Sequence, residues 1–278
     1  MRSRTTTAAM SRPMPEGDNV FRAATALRKA LQGARVLRFE TADALVRRGV
    51  EEKALAGARI ESVGARGKNL LVRFDDGRAL RTHLRMHGSW HLYRSGEAWR
   101  RAEQRARVSI ETDSGFVAVC FDAPVVQLGT DFTMRDLEKL GPDATTDQFD
   151  AAEAARRLRS RPDLTIGEAL LLQRAMAGVG NVIKAEALFV CGQDPFELVG
   201  DVSDERLAGV VDTAHRLLVA NRESGPRTSR DALTGSRLWV YGRSGKPCLR
   251  CGTPIAMRRQ GTLARSTYYC PRCQTVGS

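Results

Sequence analysis

Residues 248–273 read CLRCGTPIAMRRQGTLARSTYYCPRC, two Cys-x2-Cys pairs separated by eighteen residues. Two thiolates two residues apart can share one ion, and two such pairs complete a tetrahedral set. Cys248, Cys251, Cys270 and Cys273 are therefore predicted to hold one structural Zn²⁺, with no open position for a substrate. A disulfide framework is the alternative, and a chain of this length without a secretory signal argues against it. From Trp239 to the C-terminus there are seven Lys or Arg and no Asp or Glu. Zn²⁺ with four thiolates carries −2, which leaves the segment at roughly +5. The end of the chain is thus a small cationic hairpin built around a metal.

Upstream of this module lies a Gly-, Ser- and Arg-rich loop, Glu223 to Ser236, and beyond it the texture is helical. Ser203 followed by Asp204 and Glu205 caps a helix with Leu207, Val210, Val211, Ala214, Leu217 and Leu218 on its buried face. Gly178-Val179-Gly180-Asn181 breaks the pattern before a helix that runs to about Val190. Thr165 with Glu168 forms a capping box, predicting a helix through Arg174. Ala151 to Arg159 is a short basic helix, and Leu140-Gly141-Pro142-Asp143 marks a boundary after a linker of about a dozen residues. From Arg35 to about Gln127 the pattern changes to short apolar runs. Asp75-Asp76-Gly77 and Asp113-Ser114-Gly115 sit between pairs of them as hairpin turns. Short strands with tight turns predict an antiparallel sandwich or barrel. Before them, Val20, Ala24, Leu27 and Leu31 recur at helical spacing, behind Glu16 and Asp18 where a helix dipole favours acids.

Composition narrows the function. The 278 residues carry 44 Lys or Arg against 32 Asp or Glu, a net charge of +12, and 38 of the cations are Arg. Such an excess points to a polyanion, most often nucleic acid. The longest apolar run, Phe116 to Phe121, is far short of the roughly 20 residues that span a bilayer. A soluble, cytoplasmic protein of bacterial type, associated with the nucleoid, is expected. Cys120 and Cys191 stand alone in apolar surroundings and read as core filler. His83, His87 and His91 recur every fourth residue, a metal-like ladder on a helix. Gly88 and the strand pattern oppose a helix, and no acidic partner lies nearby.

The string Met14-Pro15-Glu16-Gly17-Asp18 opens the β region. Were Met14 the initiator, its removal would leave Pro15 with a free secondary amine, partly neutral near pH 7. Such an amine can attack a sugar C1′ and form an iminium, while Glu16 supplies acid–base work. Alone, the same two residues read first as an ordinary helix start. The ordered set of motifs decides it: PEGD at 15–18, RGKNLL at 66–71, HLRMHG at 83–88, LLQ-x5-GVGN-x4-E at 171–186, VYGR at 240–243 and RSTYYCPRCQ at 265–274. The chain resembles the Fpg/Nei (formamidopyrimidine-DNA glycosylase/endonuclease VIII) family of DNA glycosylases with AP-lyase activity, on its Nei-like branch.

The resemblance implies an α+β fold: an antiparallel β-sandwich with a leading helix (14–130), a helix–two-turn–helix domain (137–236) and a β-hairpin zinc finger (237–278). Residues 1–13 stand outside it as an extension absent from the mature protein. By the same resemblance Pro15 is the nucleophile, Glu16 the catalytic carboxylate, and Lys68 a lysine meeting phosphate and lesion. Asn181 and Arg265 grip phosphates beside the extruded nucleotide, with Lys184 and Arg243 in the same DNA-binding motifs. Arg85, Met86 and His87 fill the hole left by the flipped base, Met86 as an apolar wedge. Glu186 holds the two-turn element together. The implied activity is excision of oxidised bases from damaged double-stranded DNA by a monomer, followed by strand nicking. Two departures bear on it. An Arg- and Phe-bearing insertion of the oxoguanine-preferring branch is missing after Phe121, and the Glu223–Ser236 loop is short, which favours oxidised pyrimidines. Translated from Met1, Pro15 is locked in a tertiary amide and cannot form an iminium. Met14 as the true start resolves this; the alternatives are a non-catalytic binder of abasic or damaged DNA, if Pro15 is never N-terminal, and an oxidised-guanine-preferring glycosylase.

Overall fold

The computed structural model describes residues 15–223, 225–231 and 234–275, so the extension and Met14 lie outside the described residues. In chain order the elements are α1 (Gly17–Leu31), β1 (Val36–Thr41), α2 (Ala44–Glu52), β2 (Ile60–Arg66), β3 (Asn69–Phe74), β4 (Ala79–His83), β5 (Ser89–Arg94), β6 (Ala106–Thr112), β7 (Phe116–Phe121), β8 (Val125–Gly129), α3 (Asp131–Glu138), α4 (Ala151–Arg159), α5 (Ile166–Ala169), α6 (Asn181–Val190), α7 (Asp204–Ala220), β9 (Ala256–Gln260) and β10 (Arg265–Tyr269).

Two four-stranded antiparallel sheets, ordered β1-β6-β7-β5 and β2-β3-β4-β8, form a sandwich. Leu70, Val72, Phe74 and Leu80 of one sheet and Val36, Ile110, Ala118 and Cys120 of the other share one apolar core. Val20, Ala24, Leu27 and Leu31 of α1 close that core, which is why the leading segment is an amphipathic helix. Both expected hairpins are present, turning through Gly77 and Gly115 at φ +86 and +76, a region open to glycine. Cys120 is fully buried here, but Cys191 is exposed rather than core filler, its Sγ against Gly209 O and Thr213 Oγ1.

A second core lies among α4, α6 and α7, and α6 runs through its centre with nine of its residues buried. The opposite face of α6, Ala185 and Phe189, packs on Val240, Ile255, Cys248 and Cys270 of the metal module. One helix thus serves two cores. The expected helix from Thr165 through Arg174 stops as α5 after one turn. Gln173 explains this: its Nε2 donates to the carbonyls of Leu171 and Val179, and its Oε1 accepts from Gly178 N–H. The side chain satisfies backbone groups that a continued helix would have paired, and the chain doubles back in two turns.

Candidate active site

Glu16 is the N-cap of α1 and is 1% exposed. Its Oε1 accepts from Val182 N–H at 2.7 Å and its Oε2 from Ile183 N–H at 3.2 Å. These are first-turn amides of α6, where unpaired N–H groups and the helix dipole favour an anion. The anion site opened by Asn181 is therefore filled by the protein's own carboxylate. Glycines make the approach possible. A Cβ on Gly180 would lie 2.3 Å from Glu16 Cδ, and one on Gly17 would lie 2.9 Å from Gly178 Cα. Gly17 N–H also donates to Gly178 O at 3.0 Å. The start of α1 is clamped to the two-turn element by backbone and carboxylate together.

Lys68 sits in the β2–β3 turn, carried by Gly67 at φ +56. Asp143 Oδ2 accepts from Gly67 N–H at 2.6 Å, while its Oδ1 accepts from Thr145 N–H and Oγ1. The residue read from sequence only as a boundary is thus the peg that holds the lysine turn against the helical half. Burial pushes Lys68 down to about 8; Glu16 opposes the shift, and the Arg265 and Arg227 charges add to it. Its ammonium has no hydrogen-bond partner among the described residues. Arg265 opens β10, is exposed, and its guanidinium likewise makes no hydrogen bond with a described residue. Glu16, Lys68 and Arg265 therefore form one electrostatic unit drawn from three parts of the chain.

Pro15 lines a cavity of about 310 Å³ together with Leu84, Met86, His87, Trp90 and Arg101. Arg85, Met86 and His87 occupy a tight turn closed by Gly88 N–H donating to Leu84 O at 2.9 Å. A side chain on Gly88 would strike Leu84 O at 2.6 Å, so the turn requires glycine there. Arg85 has φ +45, all three turn residues are exposed, and Met86 stands 51% exposed. His83, one residue before Leu84, accepts from Arg85 N–H; burial and the neighbouring Lys68 and arginines push it down to about 4. The histidine ladder does not converge. His91 lies on β5 between Ser89 and Tyr93, and among the described residues only the four cysteines cluster as metal ligands.

Three expected DNA contacts are buried in this structure. Lys184 is fully buried, its Nζ donating to Thr267 Oγ1 at 2.7 Å, and burial pushes it down to about 8. Arg243 is 8% exposed and donates to the carbonyls of Trp239 and Pro247, bracing the turn before the metal ligands. Asn181 Nδ2 donates to Ser266 O at 2.6 Å, tying α6 to the hairpin, and its Oδ1 has no partner among the described residues. Each belongs to a strong motif, yet each faces inward: Asn181 and Lys184 because α6 has protein on every side, Arg243 because it braces the turn before the metal ligands. Glu186 extends the pattern: it accepts from the N–H groups of Trp239, Val240 and Tyr241 and from Ser229 Oγ. It fastens the metal module to α6 rather than the two-turn element to itself.

The four cysteine sulfurs lie within 4.8 Å of one another, with Cys251–Cys270 at 3.5 Å and Cys248–Cys273 at 4.0 Å. Zn–S bonds of about 2.3 Å in a tetrahedron place sulfurs about 3.8 Å apart, so the set fits zinc. Arg250 N–H and Cys273 N–H point at Cys248 and Cys270 Sγ at 3.4 Å, as expected around thiolates. Gln274 accepts from Cys270 N–H and donates to Gln193 O, joining the metal site to the end of α6.

Sequence reasoning missed Asp143, Gln173, Asp18 and Arg227. Arg227 is buried and grips Asp18 with both arms of its guanidinium. In the sequence Asp18 reads as a first-turn acid within the PEGD motif, and no local pattern points to a residue 209 positions away.

The arrangement matches known proteins throughout. The formamidopyrimidine-DNA glycosylase N-terminal domain model matches residues 14–124, its H2TH domain model residues 140–232, and the model of the zinc finger found in FPG and IleRS residues 245–276. A probable endonuclease 8 2 of Streptomyces coelicolor is 39% identical over 272 residues, 94% of each chain. The DNA-(apurinic or apyrimidinic site) lyase Nei2 of Mycolicibacterium smegmatis is 39% identical over 274 residues, covering 95% of this chain and 100% of that one. Lactococcus lactis Fpg, solved in complex with DNA containing an abasic site, superposes with a TM-score of 0.78 at 25% identity, covering 94% of this chain and 99% of that one. Helices of the described residues are all too short or too polar to cross a membrane. With three domain models in order and relatives of this identity over nearly its whole length, the chain belongs to the Fpg/Nei family of DNA glycosylases and carries that family's zinc finger.

Proposed function

We propose that this protein is a bifunctional DNA glycosylase and AP lyase of base-excision repair, acting as a monomer on damaged duplex in the bacterial cytoplasm. The observation that carries the reading is the Glu16 clamp on α6. It holds Pro15 at the rim of a cavity, one residue from a buried carboxylate that shares an electrostatic field with Lys68 and Arg265. Unacylated Pro15 nitrogen attacks C1′ of the extruded nucleotide and displaces the base; the amine proton is lost and the C1′–O4′ bond opens as O4′ is protonated, leaving an iminium between protein and sugar. The iminium acidifies C2′–H; removing that proton expels the 3′ phosphate and nicks the strand. Water then releases the proline. Glu16 handles protons on the sugar ring, and Lys68 and Arg265 hold phosphate oxygens, their unpartnered donors available to it. Met86 and its neighbours enter the stack where the base has left.

The relatives' endonuclease 8 names and the uninterrupted Phe121–Val126 segment support oxidised pyrimidines as substrates over oxidised guanine. Cleavage of duplexes containing oxidised thymine and oxidised guanine, compared side by side, tests the preference. Faster incision opposite the guanine lesion would reverse it. Borohydride trapping on an abasic duplex separates lyase from non-catalytic binder: a covalent adduct is expected, and its absence would leave binding alone.

A further inference from the structure

Asp18 and Arg227 form a buried ion pair between the first turn of α1 and the loop after α7, and the reaction proposed above makes no use of it. Asp18 is 0% and Arg227 7% exposed. Arg227 Nε donates to Asp18 Oδ2 at 2.7 Å, while Nη2 donates to Asp18 Oδ1 and to Asn19 Oδ1. Its Nη1 stands 3.9 Å from Glu16 Oε2. Arg22, further along the same helix, donates to Gly225 O, so two arginine contacts tie this loop to α1 in opposite directions.

Taking two charges out of water is costly, and a buried pair is weak ground for stability in itself. A forked, bidentate contact does fix direction, because guanidinium and carboxylate meet in one plane. The direction fixed here is that of the turn carrying Pro15 and Glu16. Glu16 is held from one side by α6 amides and approached from the other by Arg227. Asn19, which accepts from Arg227, also accepts from Glu16 N–H at 3.4 Å, so the same guanidinium reaches the Glu16 backbone through one side chain.

We propose that Arg227 is a positioning residue, gripping Asp18 and Asn19 so that the Pro15–Glu16 turn is held at the attacking angle only while the loop after α7 is docked on α1. The proposal rests on the reading of Pro15 as nucleophile. It makes docking of residues 225–231 part of the competent state of the enzyme.

The test uses protein expressed from its native gene, its N-terminus confirmed at Pro15 by mass spectrometry, nicking an abasic duplex in single- and multiple-turnover assays. Variants are Arg227→Gln, Arg227→Lys, and Asp18→Asn with Arg227→Gln together. Removing one partner strands a buried charge and lowers Tm, whereas the double variant removes both charges and restores much of it. Misplacement predicts a kcat loss of about 10²-fold with KM within about twofold, in the double variant as in the single one. Arg227→Lys, which keeps the charge and loses the fork, is expected to fall between. Wild-type kcat in Arg227→Lys or in the double variant would overturn the proposal, as would a loss that lies in KM alone. A wild-type protein that forms no borohydride-stable adduct defeats the nucleophile reading itself, a result distinct from normal wild-type trapping with unchanged variants.

Discussion

Two short segments meet at the cavity beside Pro15, and they are held on opposite terms. In residues 16–19 the polar side chains are engaged: Glu16 on two α6 amides, Asp18 in the fork of Arg227, Asn19 between Arg227 and Glu16 N–H. In residues 85–87 the side chains are exposed, and none makes a hydrogen bond with a described residue. The first segment carries the proposed nucleophile and must be placed to within a fraction of an ångström of its attacking position, so its order is built in beforehand. The second meets a partner whose stacked bases supply the missing contacts, so its side chains are left uncommitted while only the backbone turn is fixed by Gly88.

Stripping zinc strikes the fixed side hardest. Structural zinc sites contribute about 10–16 kcal/mol in small modules, and the module here places Arg265 and anchors Glu186 and Asn181. Chelation is expected to abolish nicking of an abasic duplex and lower Tm, with recovery on adding Zn²⁺; full activity in metal-free protein would mean the hairpin is dispensable. Glu16→Gln places an amide NH₂ against one of two N–H donors and removes the acid–base group. A fall in kcat of about 10²–10⁴-fold is expected in a steady-state incision assay. Gly180→Ala leaves every functional group in place but drives a methyl into Glu16. Its kcat should drop by about 10²-fold, and a near-wild-type rate would show that the clamp tolerates movement.

The open segment should respond differently. Met86→Ala touches a side chain half in solvent, so thermal unfolding should shift by less than about 0.5 kcal/mol. Affinity for an uncleavable abasic duplex should weaken about tenfold as the wedge is lost. A large Tm change with unaltered affinity would reverse the assignment of rigid and open parts. The smallest effect is a pH shift. Lys68, held down to about 8, is an ammonium below that pH and a neutral amine above it. If the ammonium binds phosphate, kcat/KM falls as pH rises through about 8 rather than through the ordinary lysine range. Lys68→Arg, charged throughout, should remove that limb. A limb that persists in the variant would point to Lys184, also held near 8.

Local chemistry was legible in the sequence and direction was not. The cysteine spacing, the Asp-Gly and Ser-Gly hairpin turns and the α7 stripe each encode a structure within a few residues, and each appears where expected. Helix α2 was missed although Asp43 caps it through Leu45 and Val46 N–H, because its core stripe is only Val46 and Val50, too short to stand out in a strand-rich region. Helix α3 fell inside what looked like a linker. Lys184 and Arg243 carried the right residue types in the right motifs, yet only packing decides whether a cation faces DNA or a carbonyl. Asp18 and Arg227 could not have been paired at all, since their contact exists only after α1 and the loop beyond α7 have docked.

The most direct test is borohydride reduction of the protein on an abasic duplex, followed by digestion and mass spectrometry of the adduct. A sugar remnant on the nitrogen of Pro15, in a chain whose first residue is Pro15, is the predicted result. An adduct on any other residue, or full nicking activity from a chain still bearing residues 1–14, would contradict it.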